Sequence, residues 1–121
     1  MISVGSRCRV IDNSGALVIK CLKILGNAAH GGTVGAAMVV SVQKINPSKK
    51  IKKGSVLRGI LVSVKKGRIR KNGVGVSFGV NGVVVVNSKD VPLGTRILGP
   101  VMLELRTLGF LKILSLSVVA I

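Results

Sequence analysis

The side chains of this sequence that could do chemistry are almost all cations. The chain has 121 residues and carries 19 Lys and Arg against three acids, Asp12, Asp90 and Glu104, which gives a formal net charge of +16. Eleven of the cations fall between Lys44 and Lys71, and no acid lies among them. Because such a cluster repels itself in isolation, the sequence indicates a partner that carries many negative charges.

These cations form two clusters, one on each side of an apolar segment, residues 56–64, which we predict to be a buried strand. Both clusters would therefore leave the same strand, one at each of its ends. Ten residues are the candidates for contact with the polyanion: Lys44, Lys49, Lys50, Lys52, Lys53, Lys65, Lys66, Arg68, Arg70 and Lys71.

Nucleic acid, a membrane surface and an acidic protein could each neutralise this charge. The best apolar run, residues 108–121, is shorter than the roughly 18 to 20 residues that span a bilayer, and it contains Lys112. The cations also sit in turns between strand-like segments, where no helix could lay them on a membrane. We therefore expect no membrane partner and favour nucleic acid.

The kind of nucleic acid follows from the aromatic content. Phe78 and Phe110 are the only aromatic residues, whereas proteins that bind unpaired bases usually stack them on aromatic side chains. We therefore expect contacts with the phosphates of an already folded RNA, recognised by shape and charge.

Catalytic and metal sites are not expected. Three scattered acids cannot easily form a carboxylate pair, and no Ser or Cys has an assignable His base. Cys8 and Cys21 lack the CxxC spacing, and His30 is the only histidine, so a zinc site is not expected. There is no phosphate-loop or dinucleotide-binding motif. The sequence thus predicts a protein that is not an enzyme and uses no cofactor.

Short strands separated by turns must position the cations. Residues 7–11 and 39–45 alternate between polar and apolar side chains, the second run ending at Asn46-Pro47, and residues 74–78 and 82–86 are rich in valine. Asn72-Gly73 is a strong tight-turn signal, and residues 26–35 read as a glycine-rich loop. Five or six short strands at this spacing predict a mainly β protein built as a small closed barrel.

The first hairpin carries two finer predictions. Asp12-Asn13-Ser14-Gly15 supplies turn residues, and a turn centred between Ser14 and Gly15 would place Cys8 opposite Cys21. Lys20 and Lys23 lie on opposite faces of a regular strand. One extra residue must be absorbed between them, so we predict a β-bulge or a sharp bend near Cys21 and Leu22.

The pattern changes after residue 87. Pro100 suits the first turn of a helix and Gly109 suits the position just past its end, while Val101, Leu105 and Leu108 have helical spacing. Residues 110–116 return to a strand-like pattern. We expect one domain, with the barrel in about residues 1–90 and a helical and strand segment in about 91–121.

Several short motifs follow one another along the whole chain. They are Asp12-Asn13-Ser14-Gly15-Ala16, Lys52-Lys53-Gly54-Ser55-Val56-Leu57, Lys65-Lys66-Gly67 followed by Gly73, Phe78 and Asn81, Gly94-Thr95-Arg96-Ile97 to Gly99-Pro100-Val101, Glu104-Leu105-Arg106 and Lys112-Ile113. In order and spacing they resemble the universal large-subunit ribosomal protein L-fourteen family. The resemblance implies a closed five-stranded barrel with a C-terminal segment of one or two short helices, bound to large-subunit ribosomal RNA.

The resemblance also implies partners. Members of the family lie at the face that meets the small subunit, contribute to a bridge with small-subunit RNA, and neighbour large-subunit proteins three and nineteen. Both basic clusters match RNA-contacting positions. Thr95, Arg96, Lys112 and Ser115 match residues that contact a ribosome silencing factor, so a docking platform for that factor is the alternative function.

Departures from the family pattern bear on the compartment. Ser55 stands where relatives commonly have Asp, Gly35-Ala36 replaces a Gly-Asp pair, and the tail reads Val118-Val119-Ala120-Ile121. This loss of acids favours a ribosome of the mitochondrial matrix, with the bacterial cytoplasm as the alternative. Strand pattern begins within the first ten residues, so no presequence is expected.

Overall fold

The computed structural model describes residues 2–25, 34–65, 68–69 and 71–121. In these ranges the chain forms the following elements: β1 Arg7–Val10, β2 Ala16–Ile24, β3 Ala37–Ile45, β4 Val56–Ser63, β5 Arg68–Ile69, β6 Gly75–Val76, β7 Gly82–Val86, α1 Glu104–Thr107 and α2 Leu111–Leu116. No helix among the described residues is both long and apolar enough to cross a membrane.

Five strands close into a barrel in the order β1-β2-β3-β4-β7, which confirms the predicted mainly β fold. Neighbouring strands are antiparallel except β1 and β7, which are parallel. β3 shows the predicted alternation, with Val40 and Val42 buried and Ser41 and Gln43 half-buried. β7 is buried along its whole length, which explains its unbroken run of valines, since a strand covered on both faces has no polar side.

The predicted bulge in β2 is confirmed. The pairing of β2 with β3 shifts register between Cys21 and Lys23, and Leu22 and Lys23 are both exposed. A second irregularity, not predicted, lies between Ala16 and Ile19, where Leu17 is exposed and Val18 half-buried. Bulges increase strand bending and twist, so the two irregularities help β2 to curve around the closed sheet.

The predicted centre of the first hairpin is wrong by one residue. Cys8 pairs with Ile19, which places the centre between Asn13 and Ser14. The Asp12 side chain accepts hydrogen bonds from the backbone and hydroxyl of Ser14, so the turn begins one residue earlier than its glycine suggests.

Because of this register, the two cysteines do not face each other. Cys8 and Cys21 are both free and buried. Burial raises the pKa of the Cys8 thiol to about 11, and the nearby Cys21 adds to the rise. Since the thiolate is the reactive form, Cys8 is a core residue with little reactivity near neutral pH.

The C-terminal segment contains two short helices, which confirms the one or two expected there, and α1 lies inside the segment predicted to be helical. α1 is four residues long and starts at Glu104, because Val101 is held in an extended bridge to Ala120 rather than in a helical turn. Gly109 does follow α1, in the left-handed region at φ +88°. The predicted strand over residues 110–116 is wrong, since Leu111–Leu116 form α2, which buries Ile113 completely.

The predicted loop over residues 26–35, with His30, lies largely outside the described residues. The predicted strand over residues 74–78 is reduced to β6, which pairs with β5 in a separate two-stranded hairpin around Asn72-Gly73 rather than joining the barrel. Gly73 has φ +86° there, a conformation that glycine adopts at little cost.

Candidate nucleic-acid interface

The directions of the strands show at which end of the barrel each connection lies. The turn at residues 12–15, the connection at residues 46–54 and the start of the segment after β7 lie at one end. The connection from β4 into β5 lies at the other end. We call residues 46–54 the first basic loop and residues 65–71 the second basic loop. The two predicted clusters therefore stand at opposite ends of the barrel, joined by β4.

Hydrogen bonds within the chain hold the backbone of the first basic loop. The Asn46 N–H donates to the Gly15 carbonyl at 2.8 Å, and the Gly54 N–H donates to the Val42 carbonyl at 2.9 Å. The Ser55 hydroxyl donates to the Lys52 carbonyl at 2.7 Å. The backbone is thus held at both ends of the loop by hydrogen bonds that do not involve the ammonium groups of its lysines. Its four lysines, Lys49, Lys50, Lys52 and Lys53, are all exposed.

Gly15 allows this loop to pack closely against the first hairpin. A Cβ atom at Gly15 would collide with the Cβ of Lys49, and Gly15 also has φ +112°, in the left-handed region. Only glycine satisfies both conditions without strain. The position of Lys49 therefore depends on a residue that lies in another connection of the barrel.

The second basic loop is described in part. Lys65 is exposed, and its N–H donates to Asn81 Oδ1 at 2.8 Å. Lys71 is also exposed. Lys66 and Arg70 lie outside the described residues, and Arg68 is described only as a member of β5. The structure thus places the first and last cations of this loop and fixes the backbone where it leaves β4.

Lys44 lies apart from both loops. It is an exposed residue near the end of β3, and its Cα partner on β2 is Val18. Its side chain therefore stands on the outer face of the barrel sheet, just before the first basic loop begins.

Asn13 holds the predicted docking residues Thr95 and Arg96. Its Oδ1 accepts hydrogen bonds from the N–H groups of Thr95 at 2.8 Å and Arg96 at 3.0 Å, and its Nδ2 donates to the Thr95 hydroxyl at 2.9 Å. A Cβ at Gly94 would lie 2.6 Å from Asn13 Oδ1, so glycine is needed there. Thr95 and Arg96 are exposed while their backbone is fixed.

Asp12 connects the same turn to the barrel interior. Its carboxylate accepts hydrogen bonds from the Ser14 N–H at 3.1 Å, the Ser14 hydroxyl at 2.5 Å and the Val85 N–H at 3.1 Å. Burial raises the pKa of Asp12, while these hydrogen bonds oppose the rise. This acid stabilises the turn and does not compensate the surface cations.

The other two predicted docking residues, Lys112 and Ser115, are exposed on α2. The Ser115 hydroxyl donates to the Lys112 carbonyl at 2.8 Å. Ile97, the neighbour of Arg96, forms a bridge with Ser117, just past α2. All four predicted docking residues therefore lie on adjacent segments.

The turn at residues 12–15 connects the predicted RNA-binding surface to the predicted docking surface, a connection that was not predicted from the sequence. The turn at residues 12–15 contacts the first basic loop through Gly15 and the segment at Thr95 and Arg96 through Asn13. The turn residues themselves were recognised, but their partners along the chain were not. The predicted RNA-binding loop and the predicted docking pair thus share one end of the barrel.

Acids are scarce on the charged surface. Asp90 lies beside Arg58 of β4, with the Arg58 Nε atom 3.0 Å from Asp90 Oδ1, a charge contact without hydrogen-bond geometry. Among the described residues no group of three or more His, Cys, Asp or Glu side chains could hold a metal ion. The arrangement suits the binding of an extended polyanion.

A comparison with known protein families agrees with this geometry. The model of the family described as ribosomal protein L14p/L23e matches residues 1–121, the whole chain. The chain therefore belongs to the ribosomal protein L14p/L23e family, whose members are structural proteins of the large ribosomal subunit.

Proposed function

We propose that this chain takes its place in the large ribosomal subunit by binding large-subunit rRNA through the two basic loops. The observation that carries the proposal is the exposure of Lys49, Lys50, Lys52 and Lys53 on a backbone that the barrel already holds. Asn46 and Gly54 fix the first basic loop, and Asn81 holds the start of the second. The lysines of the first basic loop can thus meet phosphates without first ordering a flexible segment.

The mechanism is neutralisation of phosphate charge. Each Lys or Arg that meets a phosphate releases condensed counterions, which makes binding favourable and dependent on salt. Contacts of this kind position a protein on RNA without reading its bases. The scarcity of aromatic residues, two in the whole chain, fits this mode of recognition.

The resemblance supports finer assignments. We propose that the chain lies at the intersubunit face, contributes to a bridge with small-subunit rRNA, and neighbours large-subunit proteins three and nineteen. The loss of acids relative to the family pattern supports a mitochondrial ribosome rather than a bacterial one.

Sedimentation of extracts tests this proposal. The chain should migrate with large subunits on a sucrose gradient and stay with them after the two subunits are dissociated at low magnesium. Mitochondrial and cytosolic extracts run in parallel identify the compartment. Migration at the top of the gradient, or with membranes, would contradict the proposal.

A second function, docking of a ribosome silencing factor, is favoured by the hydrogen bonds of Asn13. They hold the backbone of Thr95 and Arg96 in one conformation while leaving both side chains exposed. A preformed surface of this kind binds a partner without paying for ordering. The adjacency of this segment to α2 brings Lys112 and Ser115 onto the same surface.

Asn13→Ala should weaken binding of the silencing factor about tenfold, since roughly 1.4 kcal/mol of preorganisation corresponds to that factor. Asn87→Ala is a matched control, because Asn87 Oδ1 also accepts two backbone hydrogen bonds, from Lys89 and Val91, but does not touch Thr95. The measurement is titration of purified factor onto purified large subunits. Equal effects of the two variants would remove the support for a preformed docking surface.

A further inference from the structure

A group of exposed cations crosses the outer face of the barrel outside both basic loops. Arg7 on β1 lies directly opposite Lys20 on β2. Arg9 lies two residues further along β1, in a row that continues through Val18 to Lys44 on β3. All four cations are exposed. We call Arg7, Arg9, Lys20 and Lys44 the strand strip.

The strip has no internal compensation. Like charges directly opposite each other on antiparallel strands destabilise the pair, and Arg7 faces Lys20 in this way. Asp90 pairs with Arg58 on the β4 side of the barrel, and Asp12 is occupied within its own turn. The isolated protein therefore carries a repulsion that an external polyanion would relieve.

We propose that the strand strip is a third contact with the rRNA backbone, an inference that rests on the proposed rRNA binding. Adjacent strands are about 4.8 Å apart, and two residues along a strand span about 6.7 Å. A nucleic-acid duplex carries roughly one charge per 1.7 Å of axis, so a patch of this size faces several phosphates at once. The rigid sheet fixes where its cations stand.

The strip also continues into a surface already assigned to RNA. Lys44 is followed two residues later by Asn46, whose N–H donates to the Gly15 carbonyl at the base of the first basic loop. A single RNA helix that crosses β1, β2 and β3 would therefore reach that loop without leaving the protein surface.

The composition of the strip favours RNA over an acidic protein. Val18 lies between Arg9 and Lys44 in one row, and Ser41 follows Lys20 in the other; both are half-buried, and neither is aromatic. The centres of protein interfaces are depleted in charged residues and rich in aromatic ones. Interfaces with nucleic acid are far more positively charged, as the strip is.

The test compares two double variants that remove equal charge. Arg7→Gln with Lys20→Gln removes the opposed pair of the strip, and Lys89→Gln with Arg106→Gln removes two exposed cations elsewhere. Binding to deproteinised large-subunit rRNA is measured over a range of salt. The strip variant should lower the slope of log affinity against log salt by about one and a half units, and the control should leave it unchanged.

A variant with a single substitution in the strip provides a second measurement. Arg9→Gln alone should lower the slope by roughly 0.7 to 0.9 units, as expected for one lost contact. The thermal midpoint of the strip double variant at low salt should not fall below that of the unmodified chain, because the repulsion between Arg7 and Lys20 is gone.

The outcomes separate this inference from the function on which it rests. If rRNA binding depends steeply on salt and the strip variant does not change that dependence, the proposed contact between the strip and rRNA is overturned while rRNA binding itself stands. If that variant is then also lost from assembled subunits, the strip instead contacts an acidic protein. A flat dependence in the unmodified chain would overturn rRNA binding itself. An equal change in the control would show an effect of net charge only.

Discussion

Replacing the four lysines of the first basic loop with glutamine should lower the affinity for large-subunit rRNA by about a thousandfold at about 0.1 M salt. Each lost phosphate contact lowers the slope of log affinity against log salt by roughly 0.7 to 0.9. If the affinities of the two proteins converge near 1 M salt, the loss of four contacts lowers the affinity at about 0.1 M salt by about three orders of magnitude. The loop backbone should keep its conformation, since Asn46, Gly54 and Ser55 hold it without the ammonium groups.

Substitution of the same four lysines with arginine is the matched control. Arginine keeps the positive charge and also binds phosphate, so the affinity should stay within severalfold of the unmodified chain. Both variants are measured by filter binding at the same salt concentration, with circular dichroism to confirm the barrel. A glutamine variant that binds as tightly as the arginine variant would show that this loop does not contact RNA.

Gly15→Ala should lower the free energy of unfolding by about 2 to 5 kcal/mol. A left-handed conformation costs a residue with a Cβ roughly 1 to 2 kcal/mol, and overpacking adds roughly 1 to 3 kcal/mol. Both costs apply, since Gly15 has φ +112° and the new Cβ would collide with the Cβ of Lys49. Displacement of Lys49 should also weaken RNA binding.

Gly5→Ala separates the two causes. Gly5 has φ +90°, but nothing lies within 4 Å of the position of its Cβ. This variant should therefore lose only the backbone contribution, roughly 1 to 2 kcal/mol, and bind RNA normally. Unfolding in urea measures both variants. Equal losses for the two would mean that contact between the first hairpin and the first basic loop contributes nothing.

The barrel could be predicted because the patterns that indicate its strands lie within short segments of the sequence. Alternation at Val40 and Val42 marks an inward face within one strand, and the opposite parities of Lys20 and Lys23 reveal the bulge between them. α2 was predicted as a strand because the burial of Ile113 depends on residues distant in the chain. Tertiary packing decides the conformation of such a short apolar segment.

In the candidate site, too, features that depend on local sequence could be predicted and features that depend on distant residues could not. The exposed lysines of the first basic loop could be predicted, because a run of cations after an Asn-Pro turn cannot be buried. The hydrogen bonds of Asn13 could not, because Thr95 lies 82 residues further along the chain. Of the strand strip, Lys44 was among the predicted RNA contacts, whereas Arg7, Arg9 and Lys20 were missed. Arg7 and Lys20 become neighbours only through the register of the hairpin, which the sequence misplaced by one residue.

The salt dependence of rRNA binding tests the central claim most directly. Affinity of the unmodified chain for large-subunit rRNA, plotted as log affinity against log salt, should fall with a slope of several units, as expected for about six or more phosphate contacts. The glutamine variant of the first basic loop should give a slope about three units shallower. A slope near zero in the unmodified chain, or equal slopes in the two proteins, would contradict neutralisation of phosphates by the basic loops.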